Sequence, residues 1–220
     1  AEDYAYFIDN SPAEVHENEL IVGEFHWQLD EARFFQYPEE QRDAGFEARE
    51  LGAGGISFTH TCPDLSIGLS LGWNGLLEKV RSNIVKFQKE GNTEQVGYLK
   101  GSEIIALSIQ RFIKCHANEA RTKASQSSDS KQIDLYLSIA EVCDNLAVRA
   151  PQTFHEAVQW IWFFQIAERI HGHGNGYGRT DQLLHSFFQK DISEEKITRQ
   201  LARELVGEMY IKYGSYTALG

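Results

Sequence analysis

The sequence has little positive charge to offer a polyanion. Its 21 Lys and Arg are outnumbered by 32 Asp and Glu, a formal charge of 21 − 32 = −11, and no basic cluster stands out. Phosphate binding is driven by counterion release onto clustered cations, so a nucleic-acid partner is excluded. Cysteine is scarce as well: Cys62, Cys115 and Cys143 are odd in number and widely spaced, which suits neither a disulfide framework nor a zinc ribbon. They read as cytosolic thiols, two of them packed in the core. Long apolar runs are missing too. The most apolar stretch, Ala157 to Ala167, carries Gln159 and Gln165 and is about half of the ~20 residues a spanning helix needs, so no membrane partner is expected. The chain opens on a polar, acidic segment with no basic stretch ahead of an apolar one, which reads as untargeted and cytoplasmic. No internal repeat and no low-complexity tract appears. What is present is a globular composition, 42% hydrophobic with 13 Phe, 9 Tyr and 4 Trp, read as a single region over residues 1–220.

Periodicity places most of the chain on helices. A short helix is expected from Asp3 to Asn10, ended by Pro12. Glu19 to Gly23 is a β-branched run closed by glycine and reads as a buried strand. From Glu24 to Gly55 no period is sustained, apart from an acidic helical patch around Glu39 to Glu50. Leu65 to Phe87 turns helical, with Gly72 and Gly75 breaking its first turns away. Further helices are expected over Thr93 to Ser125, with Ile105, Ile109, Phe112 and Ala120 buried, and around Ile133, Leu137, Ala140 and Leu146. Gln126 to Ser130 is a turn between antiparallel neighbours. Thr153-Phe154-His155-Glu156 has the capping-box pattern and opens a helix apolar on nearly every side. The last helix is expected to begin near Asp191, with Glu194 in the capping position, and to end near Lys212.

Two loops concentrate polar chemistry. In the first, His60 and Asp64 flank Cys62 and Pro63. Asp64 reads either as the cap of the following helix or as part of a pocket wall, and His60 as a pocket group able to orient a hydroxyl or carboxylate. Cys62 reads as a packed thiol, since a nucleophile needs a depressed pKa. In the second, glycines alternate with His173, Asn175 and Tyr177 before Arg179-Thr180-Asp181-Gln182. Such glycine density lets backbone approach a ligand, but the spacing is neither a phosphate loop nor a dinucleotide fingerprint. Arg179 and Asp181 read as a buried bidentate scaffold pair that fixes the loop. His171 and His173 could pair as metal ligands with His60 or His155, yet no H-E-x-x-H supports this and no metal site is assigned.

Taken in order, Glu17 to Gly23, His60-Thr61-Cys62-Pro63-Asp64, Ala150 to Gln159 leading into Trp162-Phe163, and Gly178-Arg179-Thr180-Asp181-Gln182 resemble the glycyl radical enzymes, the pyruvate formate-lyase superfamily. The resemblance implies a ten-stranded α/β barrel of two half-barrels wrapped in helices. This chain would be the N-terminal half, mainly α with a few strands and truncated at both ends. It also implies a radical on a glycine installed by a separate radical S-adenosylmethionine activase, a thiyl cysteine that abstracts hydrogen from a small-molecule substrate, and no cofactor bound by this chain itself. The H-T-C-P-D and G-R-T-D-Q motifs are more similar to the eliminating branch, in which His60 and His173 would line the pocket beside Asp64 and Asn175.

The sequence departs from that pattern. Gly174 stands where an eliminase has serine, no Arg-Val-x-Gly-Tyr segment exists, and Gly176-Tyr177 matches only its last two letters. The thiyl cysteine belongs to a later part of the family's sequence. The chain is therefore expected to be inactive alone, with the rest of the parent polypeptide and the activase as partners and a homodimer allowed. Two other classes remain open: a non-catalytic helical interaction domain, and a metal hydrolase using His60, His171 and His173.

Overall fold

The computed structural model describes residues 1–24, 62–170 and 176–217. They form seven helices: α1 Glu2–Asn10, α2 Leu65–Lys89, α3 Thr93–Gln126, α4 Ser130–Val148, α5 Phe154–Ile170, α6 Thr180–Ser193 and α7 Arg199–Thr217. No strand occurs among the described residues, which corrects the expectation of a few strands in a mainly α chain. The acidic helical patch expected at Glu39 to Glu50 lies outside them.

The α3–α4 hairpin is built as its sequence dictates. Asn92 caps α3 by accepting from Gln95 N at 3.1 Å, and Asp129 caps α4 by accepting from Lys131 N at 2.9 Å. Ile109, Phe112, Ile113, Ala117 and Ala120 on α3 are buried, as are Tyr136, Ile139, Ala140, Cys143 and Leu146 on α4. Leu137 falls off that stripe and is exposed, against expectation. Of the three thiols only Cys143 packs in the core, where burial pushes its pKa well up; Cys62 and Cys115 are exposed. One core thiol therefore replaces the two expected.

α2 is broken at Gly72, whose φ of 62° and ψ of 179° lie outside helical space. A Cβ there would stand 2.6 Å from Ala150 Cα, so the break is where α2 presses on the turn leading into α5. One turn earlier Gly68 faces Trp160, which a Cβ would meet at 1.9 Å. The missing side chain at Gly68 leaves room for Trp160, which tilts 30° against Trp73 at 5.5 Å, while Phe164 stacks on Trp160 at 5.5 Å and on Trp73 at 6.3 Å.

In the segment read as a strand, Glu19 to Gly23, Ile21, Val22 and Gly23 are buried, and it pairs with no strand among the described residues. Buried backbone groups must find partners, and side chains of α5 and α7 supply them. Glu208 accepts from Leu20 N and Ile21 N at 2.9–3.0 Å. Gln159 accepts from Val22 N at 2.8 Å and donates to Val22 O at 2.9 Å. His155 Nε2 donates to Leu20 O at 2.7 Å, and Trp162 Nε1 donates to Gly23 O at 2.8 Å. Residues 155, 159 and 162 share one helix face at i, i+4 and i+7, so an extended chain can lie along α5. The β-branched run signalled a buried extended segment, and its partners turned out to be helices.

α5 begins as predicted. Glu156 N donates to Thr153 Oγ1 at 3.2 Å while Thr153 N donates back to Glu156 Oε2 at 3.3 Å. Its apolar circumference is covered on all sides, with Trp160, Ile161, Trp162 and Phe163 at most 1% exposed. The last helix does not begin near Asp191. Asp191 lies in α6, where its carboxylate accepts from Phe154 N at 2.6 Å, and Glu194 is the C-cap of α6. Thr198 opens α7 instead, accepting from Leu201 N at 3.1 Å, and α7 continues past Lys212 to Thr217.

His116 is fully buried on α3 against Phe112 and Phe163, with Nδ1 donating to Phe112 O at 2.9 Å. Burial, helped by the charge of Lys212, depresses its pKa from 6.5 to about 4 despite the bond to Phe112. The unfolded chain thus binds a proton that the folded chain refuses. This contribution is fully present above pH 6.5 and is lost as pH falls toward 4, about 3 kcal/mol in all. Denaturation midpoints measured between pH 7 and 4 should fall accordingly, and less so in His116→Phe; equal slopes would refute the assignment.

Candidate functional site

The two polar loops meet. The first enters at Cys62-Pro63-Asp64 and is fixed by the start of α2, where Asp64 accepts from Ser66 N at 3.0 Å and from Ser66 Oγ at 2.5 Å. Asp64 is therefore the cap of α2, and it remains exposed at the rim of a cleft. The second loop enters at Tyr177-Gly178-Arg179 and is fixed by α6 and α7. Tyr177 is buried against Tyr213, centroids 4.7 Å apart, and Tyr210, 6.3 Å. Thr180 Oγ1 lies 3.0 Å from Tyr210 OH.

Between the loops is a cleft of about 510 Å³. Leu65, Leu69, Leu183 and Phe187 give it an apolar floor, while Gln182, Ser186 and Arg179 bring donors; Ser66 and Ser70 already donate to Asp64 and Ile67 O and offer only acceptor oxygens. A few placed polar groups over apolar walls is the usual build of a small-molecule site. The loops touch where Gly178, at φ +64°, faces Cys62: a Cβ there would lie 2.5 Å from Cys62 Sγ. Gly178→Ala is expected to cost about 1–2 kcal/mol, from the left-handed backbone and the displaced thiol together. Labelling of Cys62 by a thiol reagent should quicken in that variant; unchanged stability and labelling would show that the contact is slack.

Arg179 and Asp181 pair bidentately, Nε to Oδ1 at 2.9 Å and Nη2 to Oδ2 at 2.7 Å, and the guanidinium holds the Asp181 carboxyl below its usual range. The pair is exposed, at 70% and 65%, where a buried one was expected, so it braces only its own loop. His60, His173, Asn175, Gly174 and His171 lie outside the described residues. His155, the fourth histidine of the metal reading, gives Nε2 to Leu20 O at 2.7 Å, and none of the other three lies among the described residues. Among the described residues only Glu14, His16 and Glu24 approach metal-ligand spacing, within 4.8 Å, and His16 is already engaged by Glu24 at 3.2 Å. Gly176, which precedes Tyr177 as in the radical motif, is exposed with open space beside it, whereas a carbon radical needs shelter from solvent. Among the described residues nothing gives it that shelter.

One supporting group escaped sequence reasoning. Glu156, besides its capping role, accepts from Arg149 at 2.7 and 2.8 Å, Asn145 at 2.9 Å and Gln152 N at 2.7 Å. It locks the turn on which Gly72 rests. The capping pattern gave Glu156 a partner, but nothing in the spacing pointed to Arg149 across Pro151.

The family model described as pyruvate formate lyase-like matches residues 29–219. The chain belongs to that family, the glycyl radical enzymes. Among curated relatives it is 30% identical over 160 residues to "Probable dehydratase YbiW" of Escherichia coli, covering 70% of this chain and 20% of that protein. It is 34% identical over 123 residues to the trans-4-hydroxy-L-proline dehydratase of Clostridioides difficile, covering 53% of this chain and 16% of that protein. A glycyl radical enzyme from Archaeoglobus fulgidus shares the fold at a TM-score of 0.79 and 21% identity, over 96% of this chain and 34% of that one. The chain thus spans a fifth or less of the length of these two curated relatives.

Proposed function

We propose that this glycyl radical family chain forms part of the substrate wall of a larger lyase or dehydratase whose ten-stranded barrel it helps to build. The observation that carries the reading is the cleft in which the Cys62-Pro63-Asp64 and Gly178-Arg179 loops meet. His60, Asp64, His173 and Asn175 extend the two loops that line it. In this reading His60 hydrogen-bonds or protonates a leaving hydroxyl, since imidazole transfers protons well near neutrality. The Arg179–Asp181 pair holds the second loop, and Ser186 and Gln182 orient substrate oxygens. Gly174 leaves one hydroxyl contact unmade. The radical glycine, the thiyl cysteine and the activase that installs the radical belong to the parent enzyme and its partner, so the 220-residue chain does no elimination alone.

The test uses the full reading frame, activated anaerobically. His60→Asn is expected to lower kcat/KM by about 10²-fold or more with the radical content by electron paramagnetic resonance unchanged. Asp64→Ser keeps the cap and separates the two roles of that carboxylate: a loss of activity without loss of stability places it at the substrate. Unchanged kcat/KM in both variants would remove this wall from the pocket.

A further inference from the structure

We propose that the groove between α6 and α7, on the opposite face of α6 from the loop cleft, binds a small amphipathic carboxylate, its apolar tail on the groove floor and its head between Arg199 and Arg203. The groove measures about 510 Å³, within the usual range for ligand sites. Phe154, Leu184, Phe188 and Val206 make an apolar floor, with Phe154 and Phe188 in edge contact at 5.7 Å. Gly207 leaves the middle of the groove open, since a Cβ there would meet nothing within 4 Å.

The charge on its rim is what selects the ligand. In this chain of charge −11, five arginines among the described residues hold carboxylates: Arg81 with Glu103, Arg111 with Asp9, Arg121 with Asp144, Arg149 with Glu156 and Arg179 with Asp181. Arg199 and Arg203, one turn apart on α7, have no carboxylate partner among the described residues. Arg199 rests over the Phe188 ring at 5.7 Å, which orients its guanidinium beside the floor. The acid on this rim, Asp181, is neutralised by Arg179. Two spare guanidinium forks over aromatic carbon match a carboxylate with an apolar tail better than a neutral or cationic ligand.

Octanoate is the probe, titrated calorimetrically into the 220-residue chain at low salt with 1-octanol as the uncharged comparator. One equivalent of octanoate should bind, about tenfold tighter than the alcohol, as expected for a charge-assisted pair. In the double variant Arg199→Gln/Arg203→Gln that preference should vanish while 1-octanol binding persists. Gly207→Trp should fill the groove and abolish both, with an unchanged melting curve showing that the fold survives. No saturable octanoate binding, no preference over 1-octanol, or binding that survives Gly207→Trp would each overturn the proposal.

Discussion

Gly72→Ala is expected to destabilise the chain by about 3 kcal/mol or more. Two costs combine. At φ 62° and ψ 179° the residue sits in a region essentially reserved for glycine, worth about 1–3 kcal/mol to any L side chain. The new Cβ would also stand 2.6 Å from Ala150 Cα, 2.7 Å from Ala150 N and 2.8 Å from the Arg149 carbonyl carbon. These are backbone atoms, so no rotamer change relieves the contact, and overpacking of this kind adds about 1–3 kcal/mol. A domain of this size should melt roughly 6–12 °C lower. The denaturant midpoint should fall with its slope unchanged. A loss below about 1 kcal/mol would show that α2 can straighten, and with it that the cleft wall from Asp64 onward is not anchored to the turn before α5.

The second large effect is expected at Glu156. Its side chain is 3% exposed and gathers Arg149, Asn145, Gln152 N and Thr153 N. Removing one partner of a buried ion pair costs about 3–5 kcal/mol because the other charge is stranded. Arg149 is 31% exposed and water recovers part of that loss, so about 3 kcal/mol is expected for Glu156→Ala. Burial alone would raise the Glu156 pKa, but hydrogen bonds from Arg149, Gln152 N and Asn145 outweigh it and the net shift is downward. A depressed carboxyl stabilises the fold above its unfolded value near 4.5, and that contribution is lost as pH falls through the folded value. Stability measured below pH 5 should therefore be flatter in Glu156→Gln than in the parent chain. Parallel pH profiles would mean that the carboxylate gains nothing from its partners.

Much of the fold could be read from the residues, and the failures have identifiable causes. The periodicity of Leu65 to Phe87 and of Ile105 to Ala120, with the capping box at Thr153, located α2, α3 and α5, because local propensity, caps and apolar stripe agreed there. Glu19 to Gly23 misled because a β-branched run reports burial and extension but not what satisfies the backbone. α6 went unread because its helix starts inside the Gly178-Arg179-Thr180 motif, and Asp191 then looked like a cap while it is in fact a C-terminal residue of α6 reaching to Phe154 N. Thr198 was the true signal for α7.

The site was legible in its parts. Asp64 as a cap and Arg179 with Asp181 as a pair follow from neighbours a few residues apart. The meeting of Gly178 with Cys62 could not follow, since no periodicity connects two loops separated by four helices. Arg199 and Arg203, without a carboxylate partner among the described residues, were invisible for the complementary reason, because such pairing depends on where every other charge folds.

The measurement that tests the account most directly is electron paramagnetic resonance after anaerobic treatment with an activating enzyme, S-adenosylmethionine and reductant, run in parallel on the 220-residue chain and on the full reading frame that encodes it. A glycyl radical signal is expected in the longer protein, on a glycine outside these 220 residues, and none in the chain alone. A radical on the chain itself, or a longer frame that yields none and has no downstream cysteine loop or Arg-Val-x-Gly-Tyr segment, would contradict it.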